Sequence, residues 1–301
     1  MPPLLTALLP LFILIVAGYY MRKAEFPNEE FWPGAERFNY FILFPALLFS
    51  SLATAPLTDP ALPRLLIAVL LCLFVCSVGL LIACRLYKWP GARFGALVQG
   101  TLRFNTYLGL AAVGGLFGKE GLFIASVVLA LYVPTVNIIS VLAFSVGNHT
   151  SIKAVLLPII KNPLILSCFA GVLFNLSGLE LIWGMDRLLG LLASTSLPLG
   201  LLTVGAALQP KELHGEVRTL CSISVVRLLI VPAVAFTCAY LLGLPALDRS
   251  ILVLFFALPT APTAYVLTRQ LGGDSHLMAG IITLQTLLSA ASLTIVMSLV
   301  S

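Results

Sequence analysis

Long apolar runs alternate with short polar stretches along the whole chain. Ten such runs stand out: 4–21, 36–54, 62–86, 92–117, 121–146, 154–178, 187–208, 217–243, 249–270 and 275–299. A helix needs about 20 apolar residues to cross the hydrocarbon of a bilayer, so each run predicts one membrane-spanning helix. Barrel strands would show alternation over about ten residues, and these runs are continuous. Residues 1–20 lack a basic leader region and a small-residue cleavage site, so the first run reads as a retained span.

Composition agrees with that pattern. Apolar residues make up 60% of the 301 and charged residues 10%, against roughly 45–50% and 25% in soluble proteins. A mean hydropathy of +1.07 exceeds what a soluble core of this size hides. The pattern excludes a soluble enzyme, a nucleic-acid reader and a disordered chain, and makes the lipid bilayer the chain's environment. The net charge of +5 reports loops. Eleven of the 17 Lys and Arg fall after odd-numbered runs (Arg22, Lys23, Arg37; Arg85, Lys88, Arg93; Lys153, Lys161; Lys211, Arg218; Arg269). Four (Arg64, Lys119, Arg187, Arg249) fall after even-numbered runs, and Arg103 and Arg227 lie inside runs. The positive-inside rule then puts the odd loops in the cytoplasm and both termini outside a cell membrane. The Asn148-His149-Thr150 sequon would face the cytoplasm and is discounted.

The two halves resemble each other. Pro10 to Gly18 aligns on Pro163 to Gly171 at an offset of 153, Pro45 aligns on Pro198 at the same offset, and Phe117-Gly118 aligns on Leu271-Gly272 at 154. The halves, 1–150 and 151–301, hold five runs each, so the second enters the membrane inverted. Inverted repeats are a transporter signature, with the ligand near the midplane where corresponding helices are broken.

Runs 4 and 9 are the corresponding pair that look broken. Run 4 carries Arg103, Asn105 and Thr106 at its centre, among five glycines that include Gly109. Run 9 carries Pro259-Thr260-Ala261-Pro262-Thr263, and each proline removes a backbone donor. Unwound backbone at this depth is tolerated only inside protein or along a cavity. A packing kink explains one such run; two in register point to a binding site. Arg103 suits either an anion or the C-terminal end of the first half-helix. For Arg227 the stronger expectation is a hydrogen bond to broken backbone. Gln285, Thr286, Asn137 and Asn39 read first as helix–helix glue, with Gln285 and Asn137 as supporting candidates at the site. Tyr107 and Tyr265 lie just past the breaks.

Other chemistry is sparse. The six cysteines fall in apolar runs and read as small apolar filler. The three histidines lie in polar loops, so neither a metal site nor a cofactor is expected. All twelve acids lie near run ends or in loops, which argues against an Asp-based sodium–proton antiporter.

At these residues the chain resembles the auxin efflux carrier family, which includes bacterial dicarboxylate permeases (malonate- and malate-type) and plant PIN-type carriers. The matching stretches are 38–49, 104–109, 161–166, 198–208 and 257–267. The resemblance covers essentially the whole chain. It implies an all-α fold of ten transmembrane helices in two inverted five-helix repeats, with broken helices 4 and 9 crossing, as in sodium–proton antiporters and bile-acid carriers. It also implies a dimerising scaffold, about 4–54 and 154–208, and a mobile transport domain, about 62–146 and 217–299, working by elevator-type alternating access. By position, Asn105 and Thr260 would contact the carboxylate of a small organic anion. Phe104 stands where the plant carriers have a crossover proline, and their long central loop is missing.

The expected function is therefore transport of an auxin-like monocarboxylate or a dicarboxylate. A sodium-coupled bile-acid-type carrier is the nearest alternative. An intramembrane enzyme lacks its usual signs, namely H-E-x-x-H, paired Asp or a Ser/His pair at depth. A non-transporting receptor leaves the paired breaks unexplained.

Overall fold

The computed structural model describes residues 3–54, 60–145, 161–181 and 184–300. The sequon at Asn148, His149, Lys153, Asp59 and the start of the sixth run lie outside them. Among the described residues the regular elements are helices, with one isolated β-bridge. Six helices are long and apolar enough to cross a membrane: Thr6–Lys23, Leu62–Tyr87, Thr106–Phe144, Met185–Ala206, Val217–Leu241 and Ser275–Val300. A shorter apolar helix covers Pro163–Leu176.

Thr106–Phe144 has 39 residues, about 58 Å at 1.5 Å per residue. That is about twice the hydrocarbon thickness, and the chain in fact turns back within it. Gly118 has φ +61° and ψ −147°, a conformation open to glycine and closed to most residues. Beyond it, a Cβ on Gly121 would come within 2.9 Å of Val113 Cγ1, and one on Gly114 within 3.4 Å of Leu122. Eight residues along a straight helix would separate such pairs by about 12 Å. Gly118 is thus the turn of a tight helical hairpin.

The chain divides into two compact units. The first comprises Met1–Pro60, Leu110–Leu131 and Pro158–Ala207. In it the Pro3–Lys23 helix lies along Met185–Ala206, and Phe44–Ala53 packs on Pro163–Leu176. Both contacts are backbone-close. A Cβ on Gly18 would collide with the Leu202 carbonyl, and one on Gly171 would reach 3.0 Å from the Phe49 carbonyl. Adding 153 to Gly18 and to Phe49 gives Gly171 and Leu202, so the two contacts map onto each other under the sequence offset. Asn39 and Ser196 add reciprocal bonds. Asn39 Nδ2 donates to Ser196 O at 3.0 Å and Ser196 Oγ donates to Asn39 Oδ1 at 2.8 Å.

The second unit comprises Ala61–Gly109, Tyr132–Leu157 and Leu208–Ser301. It holds the Leu62–Tyr87, Val217–Leu241 and Ser275–Val300 helices and two short helices that stop in mid-run, Gly91–Leu102 and Ala246–Ala257. Leu65, Leu102, Ile251 and Phe255 are fully buried in its interior.

Candidate functional site

The two interrupted helices stop for different local reasons. Leu258 and Ala261 each precede a proline, which disfavours helical backbone, and Leu258 is extended at ψ 149°. The chain re-enters helix only at Thr263–Gln270. No proline sits in the other break, yet Arg103 (ψ 108°) and Asn105 (ψ 101°) are equally extended. There Asn105 starts the next helix as its N-cap, its Oδ1 accepting from Leu108 N–H at 3.1 Å.

The two unwound segments cross and pair. Phe104 and Thr260 form an antiparallel bridge. Asn105 N–H donates to Pro259 O at 2.8 Å, and Ala261 N–H to Arg103 O at 3.3 Å. Phe104 is clamped between Tyr132 and Phe255, with ring centroids 4.1 and 4.9 Å away. Its aromatic packing stands in for proline at this position. On one side Gln285 closes the crossing. Its Oε1 accepts from Thr260 N–H at 2.9 Å, and its Nε2 donates to Gly100 O at 2.9 Å. Thr260 Oγ1 lies 2.7 Å from Gln285 Oε1 and 2.9 Å from Gly100 O, so its one proton is committed within the crossing.

Arg227 closes the other side. It is fully buried at a single π-helical turn, Val226–Ile230. Its Nε donates to Leu258 O at 2.7 Å, Nη1 to Thr101 O at 2.6 Å and Leu102 O at 3.4 Å, and Nη2 to Phe255 O at 3.4 Å. These carbonyls end both interrupted helices, and Tyr132 Oη also donates to Leu102 O. Two helix C-termini carry roughly −0.5 charge each, and one guanidinium balances their sum. The two helices that begin beyond the crossing, at Thr106 and Thr263, bring N-terminal ends worth about +1 together. Asp248 is the buried acid among the described residues, and it sits in the first turn of Ala246–Ala257, ten residues from the break.

The remaining predicted site residues take varied places. Asn105 is wholly buried, and its Nδ2 has no hydrogen-bond partner. Its orientation is set, because Oδ1 is used as the cap. Half-buried Arg103 donates from Nη1 to Asn137 Oδ1 at 3.0 Å and to Gln99 Oε1 at 3.5 Å. Thr106, Pro262 and Thr263 are half-buried around the helix starts. Gly109 is a packing position, where a Cβ would come within 2.6 Å of Leu258 Cδ1. The sequence leads to the expectation that backbone N–H groups after Phe104 and Pro259 lack partners. In the structure the Asn105 and Ala261 N–H groups bond across the crossing, that of Thr260 bonds Gln285 Oε1 and that of Leu108 bonds the Asn105 cap.

Two contributors escape the sequence reading. Gln99 Nε2 donates to Thr268 Oγ1 at 2.7 Å and to Ala264 O at 3.2 Å, tying the first half-helix to the Thr263–Gln270 helix. A glutamine in an apolar run is a usable signal. Tyr132 carries none, being one aromatic among many.

Comparison with known proteins fits this architecture. Residues 147–297 match the membrane transport protein family. The chain is 27% identical to an uncharacterized transporter of Methanothermobacter thermautotrophicus, covering 95% of this chain and 94% of that protein. It is 25% identical to an uncharacterized transporter of Methanocaldococcus jannaschii, covering 92% of each. The apolar helices, the paired breaks and this match agree, and the chain belongs to the membrane transport protein family, that of the auxin efflux carriers, as a transporter and not an enzyme.

Proposed function

We propose that the chain is a secondary carrier of a small organic anion, a monocarboxylate or dicarboxylate, bound at the crossover. The observation that carries this reading is Asn105. A buried amide with two donors and no partner calls for an explanation, and a ligand oxygen supplies one. Around it the two converging helix N-termini favour negative charge without a formal cation. Thr106 and Thr263 begin those helices, Arg103 adjoins them, and Thr260 and Gln285 hold the backbone between them in place.

The same reading has the chain cross a cell membrane ten times as two inverted repeats, with both termini outside. The Gly118 hairpin and the exchange of Gly18/Leu202 for Gly171/Phe49 under the repeat offset support it. Residues of about 4–54 and 154–208 then serve as a scaffold that dimerises, and those of about 62–146 and 217–299 carry the anion past it in an elevator motion.

The test separates the two jobs of Asn105. Asn105→Ala removes cap and donors; Asn105→Asp keeps the capping oxygen and removes the donors. Hydrogen bonds to a carboxylate are worth roughly 1.5–3 kcal/mol, so both variants should bind anion about 10- to 150-fold more weakly. Only Asn105→Ala should also lose stability, about 1 kcal/mol. Ligand-dependent thermal shifts of the purified protein, screened over carboxylates, measure both. Unchanged anion affinity in the folded Asn105→Ala variant would place the site elsewhere.

A further inference from the structure

A cavity lies within the second unit, on the outer side of the Gly91–Leu102 half-helix. Its volume is about 1020 Å³, the upper end of ligand-pocket sizes. The Gly91–Leu102 half-helix forms its floor, and the Leu62–Tyr87 and Val217–Leu241 helices form its walls. Those two walls run antiparallel and pack together at one end, where Arg64 Nη1 donates to Gly243 O at 3.4 Å. Towards Tyr87 and Arg218 they stand apart. From Val75 to Tyr87 the groove follows twelve residues of helix, about 18 Å. That is close to one leaflet of a roughly 30 Å hydrocarbon core.

The lining changes character along that length. The body is apolar, with Cys76, Leu80, Ile223, Val226 and Val234 among its residues. It is open sideways, since Val75 is 42% exposed and Ile230 51%. The wide end is polar. Arg93, Arg218, Thr219 and Ser222 line it beside Tyr87 and Trp89, whose rings stack at 5.4 Å. Stacked Tyr and Trp suit a membrane–water interface. Arg93 is neutralised by Glu216, with Nη1 to Oε1 at 2.7 Å. Arg218 has no ion pair among the described residues, so its guanidinium is open to an anion at the wide end. This is also the side where the sequence gathers Arg85, Lys88 and Lys211.

We propose that this groove binds one anionic phospholipid of the bilayer, its phosphate on Arg218 at the wide end and one acyl chain along the Gly79–Val234 body. Charge complementarity selects the occupant. An arginine fork matches phosphate geometry, and basic pockets between spanning helices recognise anionic headgroups. An apolar slot a leaflet long takes the tail. Gly79 matches this use, because a Cβ there meets nothing within 4 Å.

The full chain in neutral detergent tests it, with Trp89 as the sole tryptophan (Trp32→Phe, Trp183→Phe). Phosphatidylglycerol brominated high in one acyl chain should quench Trp89 saturably, and more tightly than the matching phosphatidylcholine. Arg218→Ala should weaken phosphatidylglycerol about tenfold, to the phosphatidylcholine level. Gly79→Leu fills the slot and should abolish saturable quenching of both. Lys211→Ala removes the same charge from the same side but outside the groove, and should change nothing. Equal affinity for the two lipids, or phosphatidylglycerol binding untouched by Arg218→Ala and Gly79→Leu, would overturn the proposal. If the single-tryptophan background does not fold, lipid retention by the parent and the same variants in native mass spectrometry decides by the same criteria.

Discussion

The two helix breaks that meet at the Phe104–Thr260 bridge have the same shape and opposite origins. At 258–262 two prolines forbid helix locally, so that segment would stay unwound in almost any surroundings. At 103–105 nothing local forbids it. The break there rests on remote partners: Arg227 and Tyr132 on the carbonyls of the first half-helix, and rings on both sides of Phe104. Asn105 adds a cap for the next helix. The proline break is a property of sequence and the other a property of packing. A packing-made break responds to its surroundings, and it is the one that holds the unpartnered amide.

The largest expected effect follows from removing the shared support. Arg227 bonds carbonyls from both interrupted helices, all in a buried setting. Arg227→Met leaves them unsatisfied at about 1–3 kcal/mol each, so a stability loss above about 3 kcal/mol is expected in equilibrium unfolding. The two breaks should then diverge. Hydrogen exchange should rise around 101–105 more than around 258–262, where proline keeps the backbone extended. The sequence alone suggests that Arg227→Lys would serve as a point charge. The geometry argues otherwise, because a single ammonium does not span the four carbonyls that a planar fork reaches. That variant should recover less than half of the loss. Full recovery by Lys would reduce Arg227 to a charge.

A smaller effect distinguishes the two members of the closing network. Gln285→Leu strands Thr260 N–H, a buried donor, and should cost about 2 kcal/mol. Thr260→Val keeps that bond and loses only the hydroxyl contact, so about 1 kcal/mol is expected. Both are read as shifts in unfolding midpoint. With the hydroxyl committed inside the crossing, Thr260→Val should leave anion affinity within about threefold of the parent, 0.7 kcal/mol or less. A tenfold loss of affinity in Thr260→Val would move the hydroxyl from the scaffold of the site to its contact surface.

The same asymmetry governs how much of this was legible beforehand. Apolar runs and the two prolines are written in short windows, so the spanning helices and the break in run 9 can be read directly. Gly118 and Gly272 mark turns for the same reason, each at positive φ. The pairing of Asn105 with Pro259, the Phe104 clamp and the role of Tyr132 depend on residues far apart in sequence. Composition says nothing about which aromatic meets which carbonyl. Arg227 is conspicuous as an interior cation, yet its π-helical turn and the four carbonyls it reaches appear only in three dimensions. The expectation of unpaired N–H groups after both breaks treats each break alone, whereas Asn105 and Ala261 N–H bond across the crossing and Thr260 N–H bonds Gln285.

The smallest effect concerns the far end of the first half-helix. Gly91–Leu102 is tied at both ends to the Val217–Leu241 region, by Arg227 at its finish and by the Arg93–Glu216 pair at its start. Glu216 also accepts from Thr219 Oγ1 at 2.8 Å. The Arg93 hydrogen bond, then that of Thr219, holds the Glu216 carboxyl below its ordinary value of 4.5. A lowered carboxylate pKa stabilises the fold above the unfolded value, and the contribution fades as pH falls through the folded value. Glu216 is 48% exposed, so solvent and salt screen the pair, and about 0.5 kcal/mol is expected. The parent should therefore exceed Glu216→Gln by that amount at pH 7 in low salt. The gap should close below about pH 4 and shrink in 1 M salt. Asp274 also acts on Arg93, which makes the difference between the two proteins the quantity to follow. A gap that persists at pH 3 would mean that Glu216 contributes through packing and not through its charge.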